Sequence, residues 1–255
     1  MPYTNSDGIR LHYAVRGEGT PLVLLHGWTA SAGTNFDAFG WSDALAPHYR
    51  LVMPDLRGHG RSAKPWRRAA YSPALMAADV MAVMDAAGAG RALLLGYSTG
   101  ATVAVELLVR YPGRFGAAVL GGIGTEFHAS WGRRGAPEDG LPRPWIDWFP
   151  RRNARAFLGW LRNDPIALGC AFAGMFHNRP PVDLDRLGDI RAPVLVVDGT
   201  RDGFCRSAPD LVARIPGARL ATISGRNHAT TIGDRRFKEI ALAFLAGVPG
   251  CGAPG

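Results

Sequence analysis

The strongest constraint on the fold of this chain is a rhythm. Short, unbroken apolar runs of about five to seven residues alternate with longer stretches whose apolar residues recur at helical spacing. "PLVLLHG", "YRLVMP", "RALLLGYS", "GAAVLGGIG", "PVLVVDG" and "ARLATIS" are such runs, and "IRLHYAV" is an earlier one with period two. Between them, Ser72-Pro73 supplies a helix N-cap and a proline at the first helical position. Met76, Val80, Val83, Met84 and Ala87 then follow one helical face until Gly88. Thr99 to Tyr111 reads as a second helix, closed by Pro112-Gly113. Segments "SAPDLVARI" and "TTIGDRRFKEIALAFLAG" supply two more. A strand that is apolar on both faces has both faces covered, so the pattern predicts a mostly parallel sheet sandwiched by helices, an α/β fold.

The rhythm fails between residues 125 and 182. Trp131, Trp145, Trp148, Phe149, Phe157, Trp160, Phe172 and Phe176 lie there among prolines and arginines, with no clear strand. The expected organisation is a core over residues 1–124 and 183–248, a helical cap or lid inserted over 125–182, and a flexible Gly/Pro-rich tail over 249–255. Such an insertion belongs over the carboxyl ends of the strands, where open α/β sheets bind ligands.

Composition narrows the function classes. The chain has 255 residues and 47% hydrophobic content, enough for one large core. No run approaches the length of a membrane span, and the N-terminus lacks the pattern of a secretory signal. Cys170, Cys205 and Cys251 are too few and too scattered for a disulfide framework or a structural zinc site, so a reduced, cytoplasmic protein is expected. The net charge of +8 rests almost wholly on arginines spread along the chain, with no nucleic-acid motif beside them. That reads as a solvated surface, one that would favour an anionic substrate, rather than as a nucleic-acid partner.

The run "LLLGYSTGATVAVELL" then takes on meaning. A strand, the pentapeptide G-x-S-x-G and a helix form a nucleophile elbow. Gly96 and Gly100 permit close packing around a tight turn, Ser98 is pushed out above the sheet, and the helix start offers the N–H of Thr99 to a developing oxyanion. A serine needs a base to take its proton and an acid to orient that base. Chain order supplies both after later strands: Asp202 in "VLVVDGTRDGF" and His228 in "ISGRNHATT". Asp198 falls too early, at the end of its strand. The loop after "LVLLHGW" supplies a second oxyanion donor, the N–H of Trp28, and His26 reads as a loop-shaping residue rather than a base. Trp28 and Tyr97, each beside a catalytic position, are expected to line the pocket.

These pieces together resemble the α/β-hydrolase fold superfamily, in its serine-nucleophile esterase and lipase-like branch. They are His26-Gly27-Trp28, "DLRGHGRS" from Asp55 to Ser62, "GYSTG", Asp202 in "GTRDG" and His228 in "GRNHA". The resemblance covers the chain outside the middle insertion. It implies an eight-stranded, mostly parallel sheet, a helical cap and no cofactor or metal, with "DLRGHGRS" structural. This chain departs from many members in having Gly100-Ala101 where they have two glycines. Some members carry the acid after the preceding strand, which would point near Glu126; the loop around Asp202 matches better. Relatives that open epoxides or remove halide carry aspartate at the elbow, so Ser98 implies an acyl-enzyme route instead.

The expected activity is hydrolysis of a small or medium, largely apolar carboxylic ester or lactone by a monomer or homodimer. Two alternatives share the fold: a lyase, acyl transferase or cyclase on the same triad, and a ligand receptor with slow turnover.

Overall fold

The computed structural model describes residues 2–125, 163–176 and 183–248. Eight strands form one sheet: β1 (Tyr3–Ser6), β2 (Ile9–Arg16), β3 (Pro21–Leu25), β4 (Arg50–Pro54), β5 (Ala92–Tyr97), β6 (Phe115–Gly121), β7 (Val194–Gly199) and β8 (Arg219–Ile223). Their order is β1-β2-β4-β3-β5-β6-β7-β8. The pairs β1/β2 and β2/β4 are antiparallel, and every other neighbouring pair is parallel. The fold is therefore the mostly parallel, eight-stranded α/β sheet that the sequence leads one to expect. Because β3 to β8 run the same way, the loops that follow them emerge at one edge.

The described α-helices are α1 (Trp41–Leu45), α2 (Pro73–Ala86), α3 (Thr99–Arg110), α4 (Pro165–Phe176), α5 (Ala208–Arg214), α6 (His228–Thr231) and α7 (Arg235–Ala246), with further helical turns at Gly33–Asp37, Arg68–Ala70 and Leu184–Asp189. The lack of polar alternation in the strands has a simple cause. Val23, Leu25, Leu94, Ala118, Leu120, Val194 and Val196 pack on one face with residues of α2, α3 and α5. Leu22, Leu24, Leu93, Leu95, Ala117, Val119, Leu195 and Val197 pack on the other with Trp41 and Leu45 of α1 and Phe237, Ala241 and Leu245 of α7. Successive side chains in a strand point to opposite faces, and here both faces are dry.

Helix α2 starts as its sequence dictates: the Ser72 side chain accepts from the N–H of Leu75, and Pro73 takes the first position. Gly88, at φ +64°, ends it.

Of the segment assigned to a cap, residues 163–176 are described, and they carry α4. Its first turn is capped by the Asp164 carboxylate, which accepts from the N–H groups of Ile166 and Ala167. Gly174 lets it lie close: a side-chain carbon there would stand 2.4 Å from the carbonyl oxygen of Tyr71 and 2.6 Å from that of Arg68. The rest of the proposed insertion, with Glu126 and most of its aromatic residues, and the tail from 249 onward lie outside the described residues. Among the described residues, no helix is long and apolar enough to cross a membrane.

Candidate active site

The turn from β5 into α3 is built by two contacts that only glycine allows. A side-chain carbon at Gly96 would stand 2.5 Å from the carbonyl oxygen of Gly100. One at Gly100 would stand 2.0 Å from that of Leu25, at the end of β3. Between them Ser98 takes φ +55° and ψ −117°, a conformation an L-residue adopts only under constraint. The constraint comes from its own backbone: Ser98 N–H donates to Gly121 O of β6 at 2.8 Å, and Ser98 O accepts from Thr102 N–H at 3.0 Å. Ser98 is left 7% exposed.

Its hydroxyl meets His228. Oγ lies 2.9 Å from His228 Nε2, and His228 Nδ1 lies 2.7 Å from Asp202 Oδ2. A carboxylate only accepts, so the proton sits on Nδ1, and Nε2 is left to accept the serine proton. Each member arrives from the loop after a different parallel strand: Ser98 after β5, Asp202 after β7, His228 after β8. The structure brings together the three residues that chain order singles out.

Asp202 is held by its own turn, its Oδ1 accepting from Phe204 N–H at 2.9 Å. Burial alone would raise its carboxyl. The hydrogen bond and charge of His228 and the N–H of Phe204 outweigh burial and hold it below the usual carboxylate range. Its neighbour Asp198, in β7, goes the other way. Burial, then the Asp202 charge, push the Asp198 carboxyl up to about 8 against the opposing N–H of Gly199. At neutral pH Asp198 is thus a carboxylic acid that donates its proton to the Asp202 carboxylate. Sequence reasoning passes over Asp198 as a strand residue. The signal available was two aspartates four apart across a strand end.

His228 opens α6 and Asn227 caps it, the Asn227 side chain accepting from Ala229 N–H and Thr230 N–H at 3.1 Å each. Tyr97, expected beside the pocket, is buried. Its ring lies 5.5 Å from that of His228 and 6.3 Å from that of Phe237, and its hydroxyl donates to the His228 carbonyl at 2.5 Å. Phe204 meets the imidazole edge-on at 5.2 Å. Cys205 places Sγ 3.8 Å from His228 Nδ1.

The loop after β3 runs past the serine. A side-chain carbon at Gly27 would stand 3.5 Å from Ser98 Cβ, so the loop that carries Trp28 passes beside the nucleophile. His26 shapes this loop. One ring nitrogen donates to Gly27 O at 2.8 Å and the other accepts from Leu56 N–H at 3.0 Å, and burial lowers its pKa, so it stays neutral. The Trp28 indole reaches α4, donating to Leu168 O at 3.1 Å, with its ring 5.2 Å from that of Phe172. The "DLRGHGRS" stretch is an internal clamp. Asp55 accepts from Ala32 N–H and Arg61 N–H at 2.9 Å each and pairs with His12 at 2.9 Å. Arg57 grips Asp79 of α2 through two bonds of 2.5 Å.

Comparison with known proteins agrees with this fold. Residues 20–193 match the family described as alpha/beta hydrolase fold. The chain is 29% identical over 268 residues to a pimeloyl-[acyl-carrier protein] methyl ester esterase of Xanthomonas oryzae pv. oryzae, covering 94% of this chain and all of that one. A solved esterase from Rhodococcus sp. superposes with a TM-score of 0.76 at 31% identity, covering 96% of this chain and 98% of that one. A solved N-acyl homoserine lactone degrading enzyme superposes with a TM-score of 0.79 at 26% identity, covering 96% and 100%. With its sheet order, its elbow and this match over most of its length, the chain belongs to the α/β-hydrolase fold family.

Proposed function

We propose that the protein is a serine hydrolase of small or medium, largely apolar carboxylic esters or lactones, working through Ser98, His228 and Asp202. One observation carries this reading: an unbroken hydrogen-bonded line from the buried Asp202 through His228 to a serine held at a strained elbow. Ser98 Oγ attacks the carbonyl carbon as His228 Nε2 takes its proton. Asp202 keeps the imidazole in the required tautomer and stabilises its cation. The N–H groups of Trp28 and Thr99 receive the oxyanion. Collapse expels the alcohol, protonated by His228, and leaves an acyl-enzyme. Water, activated by the same histidine, releases the acid.

Tyr97 and Phe204 support the histidine from behind, Tyr97 through the His228 backbone. The esterase and lactone-degrading relatives favour a carbonyl substrate of this kind. The thiols of Cys170 and Cys205 suit a reducing compartment, and we place the enzyme in the cytoplasm, as a monomer or homodimer.

The test is hydrolysis of a p-nitrophenyl ester series, acetate to decanoate, by wild type and by Ser98→Ala. Turnover by wild type that falls by about 10³-fold or more in Ser98→Ala supports the reading. Full activity in Ser98→Ala, or a folded but inert wild type, overturns it.

A further inference from the structure

The loop after β7 does more than deliver an acid. The turn Asp202-Gly203-Phe204-Cys205 doubles back, with Cys205 N–H directed at Asp202 O at 3.5 Å and Phe204 N–H bonded to Asp202 Oδ1. The thiol is thereby returned toward the carboxylate, near His228 Nδ1. The Asp202 carboxylate, the Cys205 sulfur and a ring nitrogen of His228 all lie within 4.8 Å of one another. Two of the separations are 2.7 Å, from Nδ1 to Asp202 Oδ2, and 3.8 Å, from Nδ1 to Cys205 Sγ. Tetrahedral zinc, with bonds of about 2.0 Å to nitrogen and oxygen and about 2.3 Å to sulfur, spaces its ligand atoms roughly 3.3–3.8 Å apart. These two separations stand within about 0.6 Å of that range, and the third, from Asp202 to Cys205 Sγ, needs a closure of no more than roughly 1.5 Å.

We propose that Asp202, Cys205 and His228 form an inhibitory site for a thiophilic divalent cation such as Zn²⁺ or Cd²⁺. Three features of the site favour it. The donor set mixes sulfur, nitrogen and oxygen, the combination that zinc prefers over magnesium or calcium. Carboxylate and thiolate together carry two negative charges, so a bound dication leaves the buried site neutral. The His228 side chain, 19% exposed where that of Asp202 is wholly buried, gives the ion a way in.

The chemical consequence follows from the imidazole. Binding releases the thiol proton to solvent, and the metal takes the Nδ1 lone pair. The one proton of the neutral ring moves from Nδ1 to Nε2, where it points at Ser98 Oγ. A ring nitrogen that bears a proton cannot accept the hydroxyl proton, so the base is switched off while the fold stays intact. This inhibition rests on the proposed catalytic roles of Ser98, His228 and Asp202; the binding itself does not.

Two measurements separate the two claims. Cd²⁺ titration of the metal-free protein is followed by the ultraviolet thiolate-to-metal charge-transfer band, which needs no turnover. The band should appear in wild type and in Ser98→Ala and be absent from Cys205→Ala. Zn²⁺ should inhibit p-nitrophenyl ester hydrolysis reversibly, with EDTA restoring the rate. The inhibitory concentration, each variant being compared with its own metal-free rate, should rise about tenfold or more in Cys205→Ala. Cys205→Ser serves the same comparison should the alanine variant fail to fold. No band in wild type, or equal Zn²⁺ sensitivity with and without Cys205, overturns the site. A band with no esterase activity to inhibit keeps the site and overturns the hydrolase reading.

Discussion

Asp198 and Asp202 stand four residues apart yet shift in opposite directions, because burial and then the Asp202 charge hold a proton on Asp198 while His228 overcomes burial at Asp202. The consequence for stability has a definite sign. Unfolded, the Asp198 carboxyl ionises around its ordinary value of 3.8; folded, it keeps its proton up to about 8. Folding therefore takes up a proton across that window. The contribution of this group is fully present below the lower value and is lost as the pH rises through the upper one. Asp198→Asn keeps a donor toward Asp202 and removes the titration. Its melting temperature relative to wild type should climb between about pH 4 and about pH 8 and level off above, at roughly 2–4 °C for each kcal/mol regained. A difference independent of pH would remove Asp198 from the titrating pair. At this scale the juxtaposition of Ser98, Asp202 and His228 is legible in the sequence, since chain order and strand ends put them at one edge. The retained proton of Asp198 and the support from Tyr97 are not. They depend on which side chains face each other in three dimensions, and neither periodicity nor a motif reports that.

At the scale of elements, the clamp between the loop after β4 and helix α2 makes a strong case. The Arg57 and Asp79 side chains are 4% and 3% exposed, and Arg57 also donates to Ala70 O at 2.7 Å. Taking one partner away leaves a buried, uncompensated charge. Asp79→Ala should lower the unfolding free energy by about 3–5 kcal/mol, read from the midpoint of urea denaturation at unchanged slope. A shift under 1 kcal/mol would mean that water reaches the guanidinium. Core strands and long helices are legible because their burial writes itself into apolar runs. β1, with the sequence YTNS, and α1, with WSDAL, escape notice. The first is a four-residue edge strand with alternate residues exposed, and the second is too short to display a period. The antiparallel pairing of β2 with both its neighbours, β1 and β4, likewise leaves no local trace.

Across the molecule, distant loops are tied together at the edge where the site lies. Asn163 accepts from Gly60 N–H at 2.7 Å and donates to Thr29 O at 2.8 Å, joining the loop after β4 to the loop after β3. Thr29 follows Trp28, the proposed oxyanion donor. Asn163→Ala strands both partners and should cost about 1–3 kcal/mol of stability. It should lower kcat for ester hydrolysis more than it changes KM, because an oxyanion donor acts in the transition state. Unchanged kcat would separate Asn163 from that loop's geometry. The Asn163 link spans more than a hundred residues, so nothing in its neighbourhood of sequence announces it.

The strained serine also has a consequence for the order in which properties appear during folding. Ser98 keeps its unusual backbone angles only while β6 receives its N–H and the end of β3 presses against Gly100. His228 lies 130 residues further along the chain, so loop closure over half the polypeptide precedes the first productive contact between them. Helical signal on refolding should thus recover ahead of turnover, and on gentle heating turnover should vanish ahead of helical signal. Catalysis in this protein is a stricter witness of the native state than any spectrum.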